Sequence, residues 1–505
     1  MKSRILQLLI ICLLLFAGGI GEGAKSQSFT IIQMNDVYEV FPVLTLVDHR
    51  VEPRGGLEYS GTLISELRQK GPVLVLHAGD FLSPSLLSIK FKYKGQQMIE
   101  AMNALPTDFA TFGNHEFDFG CKVLSERIDQ SKFQWLSSNV KFPEEMTRLA
   151  EKIKPYRILK IAGMRVGIFA LTLPLEPLEG CGVEPIRFED PFEVAKRMVT
   201  RFKGQKVDLI IALTHLRMTD DRKLAELNPD IDFIVGGHDH EPMVEVVGKT
   251  LITKAGANAT ALGVIGVKGV RTSDGWIIQK NWKRLEVNPK TTSPSPAVTA
   301  ALAPYAAQLQ QFERVIGSTT VALDVREDTV REKESNFANY LTDIMRKEMG
   351  TDIAFINGGA FRGDRIIPPG PLTLNDLYTV LLFENELRSI EITGRQLLEQ
   401  LENGVSRVGE KDGRFPQVSG MKFTFDPDLP VGQRVTKVAI GGEPLDLGKT
   451  YTMATIDFLL NRGFIDGYTL PKEKVREGGN LNEIIISSIG KGPLRCEVEG
   501  RIFPE

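Results

Sequence analysis

Phe112-Gly113-Asn114-His115-Glu116-Phe117-Asp118 follows a short run, Asp108 to Thr111, that reads as a buried strand. Gly113 permits a sharp turn, after which an amide, an imidazole and two carboxylates crowd into five positions. Such groups are costly to bury unpaired. A divalent cation that takes oxygen and imidazole nitrogen ligands together accounts for their density. The competing reading is a polar turn around a satisfied histidine, and the rest of the chain decides between the two.

The same pattern recurs on both sides. Phe29 to Met34 reads as a strand running into Asn35-Asp36, and Val73 to Leu76 as one ending in His77-Ala78-Gly79-Asp80. Further on, Asp208 to Leu213 ends in Thr214-His215, and Asp232 to Val235 ends in Gly236-Gly237-His238-Asp239-His240. Val73 to Leu76 is apolar without alternation, as expected of a strand covered on both faces. Helical segments such as Gly61 to Gln69 and Phe192 to Lys203 lie between them, so the first half reads as a layered α/β domain. In such sheets the ligand crevice lies at the carboxyl ends of the strands. Of six histidines in the chain, four fall at these ends, while His49 and His77 fit less cleanly. A carboxylate shared by two cations about 3.5–4 Å apart suits phosphoryl transfer.

At 505 residues the chain is expected to hold at least two domains. Its net charge of -3 gives no reason to expect a nucleic acid polymer or an anionic membrane as partner. Lys2 and Arg4 precede an apolar run, Ile5 to Ala17, and then small residues up to Ala24. Residues 1–24 therefore read as an export signal, with the mature protein periplasmic or extracellular and free of a membrane span. Cys121, Cys181 and Cys496 then allow at most one internal disulfide, of unreadable pairing.

Thr291-Thr292-Ser293-Pro294-Ser295-Pro296 is rich in breakers and marks a boundary. It leads into a helix-forming stretch, Ala297 to Val315. The expected division is 28–290 for the first domain, 291–316 for the linker and 317–505 for a mixed α+β second domain. In that domain Asn336 to Lys347 reads as an amphipathic helix, and Asp352 to Ile356 as a strand breaking at Asn357-Gly358-Gly359-Ala360-Phe361-Arg362. Two glycines beside Asn and Arg suit a loop whose backbone approaches an anionic ligand. Phe415 and Phe458 stand in turn-rich stretches, and two such rings can sandwich a base; the alternative is that both belong to the core.

The order Asn-Asp, Gly-Asp, Gly-Asn-His-Glu-Phe-Asp, Thr-His and Gly-His-Asp-His resembles the calcineurin-like metallophosphoesterases, in particular the secreted 5′-nucleotidase and UDP-sugar hydrolase family. The resemblance implies a four-layer α/β/β/α catalytic domain followed by a mixed α+β substrate-binding domain. It also implies two divalent metal ions (zinc, manganese or similar). Asp80 would bridge them, Asp36 and His240 would complete one site, and Asn114, His215 and His238 the other. His115 would act on the transition state with Asp118 orienting its ring. Asn357, Arg331 and Arg362 would bind the phosphate or ribose-phosphate side, Phe415 and Phe458 the base, and Asp466 the ribose. Two departures stand out: Asp36-Val37-Tyr38 replaces the family's Asp-x-His, and Asn461 to Gly467 replaces a compact Asn-Gly-Gly-Asp-Gly.

The expected function is exported, metal-dependent hydrolysis of a nucleoside 5′-monophosphate to nucleoside and phosphate. UDP-sugars and 2′,3′-cyclic nucleotides are alternative substrates for the same centre, and a non-nucleotide ester is a third. A nucleotide-binding protein with an impaired metal centre is the alternative from another class, motivated by Tyr38.

Overall fold

The computed structural model describes residues 26–505 apart from 48–49, 147–150, 180, 183 and 274. The expected export signal at 1–24 and His49 lie outside the described residues. The chain divides into two compact units, the first built mainly from residues up to Ala306 and the second mainly from Ala307 onward.

In the first unit β1 (Gln27–Met34), β2 (Val73–His77) and β3 (Phe109–Ala110) run parallel at the centre of a seven-stranded sheet. Two long antiparallel strands, Ala261–Thr272 and Gly275–Glu286, close one edge. A six-stranded sheet carries β4 (Leu209–His215) and β5 (Phe233–Gly236), parallel to each other and to Met164–Thr172 and Thr250–Ala255. Side-chain alternation explains how the sheets meet. Ile31, Leu74 and Leu76 pack against Val166, Ile168 and Ile211 in one core, while Ile32 and Val75, pointing the other way, are fully buried too. The outer face of the second sheet is covered by helices Pro191–Gly204 and Met218–Leu227, which bury Phe202 and Leu224 against Ile210 and Ala212. Helices Leu57–Arg68, Gln96–Ala104 and Gly120–Gln130 intervene between the strands of the first sheet and bury Ile64, Ile99 and Leu124. This is the four-layer α/β/β/α arrangement, and the unalternating strands are its direct consequence.

Cap chemistry sets the helix limits. The Asp190 carboxylate accepts from the N–H groups of Phe192 and Glu193 at 2.8 and 3.0 Å, with Pro191 in the first turn. The helix after the breaker-rich stretch spans Pro296–Leu309 and stops short of the expected Val315. It tightens into a 3₁₀ turn at Gln310–Phe312, and Val315 opens a strand instead. A disulfide joins Cys121 to Cys181, and Cys496 is free and buried. Among the described residues no helix is long and apolar enough to cross a membrane.

The second unit is built on a five-stranded mixed sheet in which β6 (Ile353–Asn357), β7 (Glu386–Thr393) and β8 (Thr450–Ile456) are central, β6 parallel and β7 antiparallel to β8. Helix Asn336–Met349 packs Phe337, Leu341 and Met345 into its core. Ser335 caps that helix through Ala338 N–H, and Gly350 ends it in a left-handed conformation.

Candidate active site

The loops after β1, β2, β3, β4 and β5 converge at one end of the first unit's sheets. Asp36, Asp80 and His238 all adopt left-handed backbone, with φ of 52, 58 and 78°. That conformation is uncommon for residues other than glycine, so three candidate ligands are held where the local chain would rarely place them. Hydrogen bonds hold them there. Asp36 N–H donates to the Gly79 carbonyl (3.0 Å), His238 N–H to Asp36 Oδ2 (2.9 Å) and His115 N–H to Asp80 Oδ1 (2.8 Å).

The donor atoms face one another. His215 Nε2 lies 3.2 Å from Asp80 Oδ2, and His240 Nε2 lies 3.6 Å from Asp36 Oδ1. Asp80, His215 and His238 bring one ligand atom each within 4.8 Å of one another. His215 Nδ1 donates to the Ala78 carbonyl at 2.7 Å, which fixes the ring orientation and turns Nε2 toward Asp80. His215 Nε2 and Asn114 Oδ1 are buried without a hydrogen-bond partner. Buried orphan atoms of these types, pointing at a carboxylate, fit a metal ion. Burial and the nearby His215 hold His238 well below its ordinary pKa, so its imidazole is neutral, as a metal ligand must be. Burial opposes ionisation of Asp80, but His215 and the His115 N–H outweigh it and keep the carboxylate charged. His77 is different. Burial and His215 push it down to about 3, and its ring packs edge-on against Phe81, so it is a neutral core residue behind the cradle.

Glu116 is not a ligand. It is 1% exposed, and its two oxygens accept from the N–H groups of Asp80, Phe81, Leu82 and Gly113 at 2.9, 2.8, 3.2 and 2.5 Å. One carboxylate thereby ties the Asp80 loop to the Asn114 loop. Gly113 also has a reason other than the expected turn. A Cβ there would collide with Asp80 Oδ1 and come within 2.6 Å of the His215 ring. On the other side, fully buried Lys254 donates to the carbonyls of Leu216 and Gly237, both at 2.6 Å, and pairs with Asp221 and Asp239 at 3.0 and 2.7 Å. It braces the loops carrying His215, His238 and His240. Sequence reasoning missed Lys254, which stands in a strand of mixed composition, Thr250–Ala255.

His115 stands at the rim, one-fifth exposed, with Nδ1 2.8 Å from Asp118 Oδ2. That pairing puts the proton on Nδ1 and turns Nε2 outward, the geometry of a general acid–base residue.

In the second unit the structure brings some of the expected substrate residues together and buries Phe415 in the core. Asn357, at the end of β6, donates through Nδ2 to Asp466 Oδ2 at 3.4 Å, while its Oδ1 is buried without a partner. Arg331, paired with Glu327, lies close enough to Asp466 to act on its charge, and burial and Asp412 push that carboxyl upward. Arg362 is half-buried five residues beyond Asn357. The glycines of this loop serve the protein's own backbone: Gly358 and Gly359 donate to the carbonyls of Phe415 and Gly413, and a Cβ on Gly358 would strike the Val330 carbonyl.

Phe415 does not offer a face to a base. It is 1% exposed in the core and packs edge-on against Phe425 at 6.0 Å. Phe458 is half-buried just past β8. The pairing of Leu387 with Ile456, and of Glu386 N–H with the Asp457 carboxylate (2.9 Å), brings half-buried Phe383 to the same sheet end. Phe415→Ala is expected to lower unfolding free energy by about 3–5 kcal/mol through a cavity. Phe458→Ala, which truncates a half-buried ring packed against the same core, is expected to cost less stability than Phe415→Ala. Thermal unfolding of both variants checks the pair.

A family described as calcineurin-like phosphoesterase matches residues 29–242, and one described as 5′-nucleotidase, C-terminal domain, matches residues 315–473. The trifunctional nucleotide phosphoesterase YfkN of Bacillus subtilis (strain 168) is 32% identical over 87% of this chain, which spans only 33% of that relative's length. The 5′-nucleotidase of Homo sapiens is 27% identical, covering 89% of this chain and 85% of the relative. The solved structure of the 5′-nucleotidase precursor from Thermus thermophilus superposes with a TM-score of 0.84 at 30% identity, covering 95% of this chain and 99% of that one.

Proposed function

The chain belongs to the calcineurin-like phosphoesterases that carry a 5′-nucleotidase C-terminal domain, and from that premise we propose that it is an exported phosphohydrolase with two divalent metal ions that converts a nucleoside 5′-monophosphate to nucleoside and phosphate. The observation that supports this most is the position of Asp80 Oδ2, 3.2 Å from His215 Nε2 on one side and 3.3 Å from the Tyr38 hydroxyl, beside Asp36 and His240, on the other. One carboxylate oxygen thus faces two donor groups, as a bridging ligand does. Asn114, His215 and His238 would hold one ion, and Asp36 and His240 the other. When bound, the ions supply Lewis-acid stabilisation of the phosphoryl oxygens and an activated water.

The chain's own residues do the rest. Glu116 and Lys254 keep the ligand loops in register. Asp118 holds the His115 ring so that Nε2 can stabilise the phosphoryl group and protonate the departing nucleoside oxygen. Asn357, Asp466, Arg331 and Arg362 would recognise the nucleotide, and Phe458 with Phe383 would stack its base. The retention of Asp80, Asn114, His115, His215, His238 and His240 argues against the binding-protein reading.

Phosphate release by the mature protein with Mn²⁺ from AMP, UDP-glucose and 2′,3′-cyclic AMP tests the substrate assignment. AMP is expected to have the highest kcat/KM; a clear preference for either of the others would reassign the pocket. His115→Ala is expected to lower kcat for AMP by about 10²–10⁴-fold with little change in KM. Asp118→Asn, which frees the ring, should cost less, about tenfold.

A further inference from the structure

Tyr38 occupies the position where the family motif places an imidazole, and the structure aims its hydroxyl at the centre of the donor cluster. The oxygen lies 2.9 Å from His240 Nε2, 3.3 Å from Asp80 Oδ2 and 3.4 Å from Asp36 Oδ1, while His240 Nε2 and Asp36 Oδ1 are 3.6 Å apart. For metal–donor bonds of about 2.0–2.2 Å at angles between square and tetrahedral, neighbouring donors stand about 2.8–3.6 Å apart. The three distances from the Tyr38 oxygen, and the one between His240 and Asp36, have the spacing of such edges, so the phenol oxygen stands as a neighbouring donor to each of the other three atoms. A hydroxyl has a single proton to give, and here it meets two carboxylate oxygens and a ring nitrogen. One cation in place of that proton satisfies all four.

The residue is also held in place. Tyr38 is 8% exposed, its N–H and that of Glu39 both donate to Asn258 Oδ1 at 3.1 and 3.2 Å, and Asn258 N–H returns to the Asp36 carbonyl at 2.9 Å. Its ring stands edge-on to His240 and His115, at 5.4 and 6.0 Å. Ligand loop and phenol are one rigid piece.

We propose that Tyr38 is a metal ligand, and that its oxygen makes the Asp36–His240 site selective for a harder, more highly charged ion than the site of Asn114, His215 and His238. The phenolic O–H bond breaks, an oxygen–metal bond forms, and the proton goes to solvent; nothing is oxidised or reduced. The first site then has three anionic oxygens, from Asp36, Asp80 and Tyr38, with one imidazole. The second has only the shared Asp80 as an anion, with an amide and two imidazoles. Anionic oxygen favours hard cations and imidazole favours zinc-like ones, so the two sites differ in preference.

The proposal rests on the metal-dependent reading, and one titration separates the two. Metal-free full-length protein is titrated with ferric iron delivered as its nitrilotriacetate chelate, with visible spectra, elemental analysis and circular dichroism recorded for wild type, Tyr38→Phe and Tyr38→His. Wild type is expected to develop a phenolate-to-iron charge-transfer band that saturates near one iron per chain. Both variants, folded, should lack the band, and Tyr38→His should lose at least tenfold in its preference for Fe³⁺ over Zn²⁺. Iron bound by wild type without the band, or a band that survives in Tyr38→Phe, overturns the assignment of Tyr38 and leaves the metal-dependent reading standing. Failure of wild type to bind Fe³⁺, Mn²⁺ or Zn²⁺ overturns both.

Discussion

Asp80→Asn is expected to lower phosphate release from AMP by about 10³-fold or more, equivalent to about 4 kcal/mol of transition-state stabilisation. The reason lies in how many things one carboxylate does. Its Oδ2 faces both groups of candidate ligands, and its Oδ1 accepts the His115 N–H at 2.8 Å, setting the start of the loop that carries the acid–base residue. Asparagine keeps the shape but replaces one oxygen by a donor amide and removes the charge. Whichever way the amide turns, it either loses the shared ligand or opposes the His115 N–H. Elemental analysis of the folded variant should show loss of bound metal together with loss of rate. Wild-type metal content with near-wild-type turnover would show that Asp80 is not the shared ligand.

Glu116→Ala should be strongly destabilising. Four backbone N–H groups at the junction of two loops end on its oxygens, and the side chain is 1% exposed. Deleting it leaves buried donors unsatisfied, at about 1–3 kcal/mol each before relaxation and water entry. A net loss of about 4 kcal/mol lowers the melting temperature of a domain this size by roughly 8–16 °C. Differential scanning calorimetry reads this directly, and an unchanged melting temperature would mean that the two loops are held together by something else. Glu116→Gln, with one oxygen retained, should fall between the alanine variant and wild type.

Much of the catalytic unit was legible because its chemistry is written at strand ends. Unalternating apolar runs such as Val73 to Leu76 announce strands buried on both faces, and the polar residues that follow them must lie at one sheet end. Asp80, Asn114, His215, His238 and His240 follow from that logic. What the sequence hid is how those residues are held. The left-handed backbone at Asp36, Asp80 and His238 arises from hydrogen bonds to Gly79, His115 and Asp36 itself, which no local propensity encodes. Glu116 stood inside the most informative stretch without an assigned role, and the long-range N–H groups of Asp80 to Leu82 show that it is a clamp. Lys254 carried no local mark, because its partners lie 15–38 residues away.

The second unit was harder to read, since aromatic and glycine residues have the same sequence appearance in a core as in a pocket. Phe415, just before the strand that pairs with β6, went to the core, while the pairing of β7 with β8 brings Phe383 to the sheet end that Phe458 shares. Gly358 is explained by the Val330 carbonyl rather than by a ligand. Asn357 and Asp466 come together although 109 residues separate them.

The most direct test of a metal-dependent nucleotide phosphohydrolase is phosphate release from AMP by one protein sample carried through three states. The sample is assayed as loaded with Mn²⁺, again after EDTA and dialysis, and again after Mn²⁺ is restored. Turnover that vanishes with the chelator and returns with the metal is the predicted result. Turnover that survives complete removal of metal, or none in folded, metal-loaded protein, would contradict it.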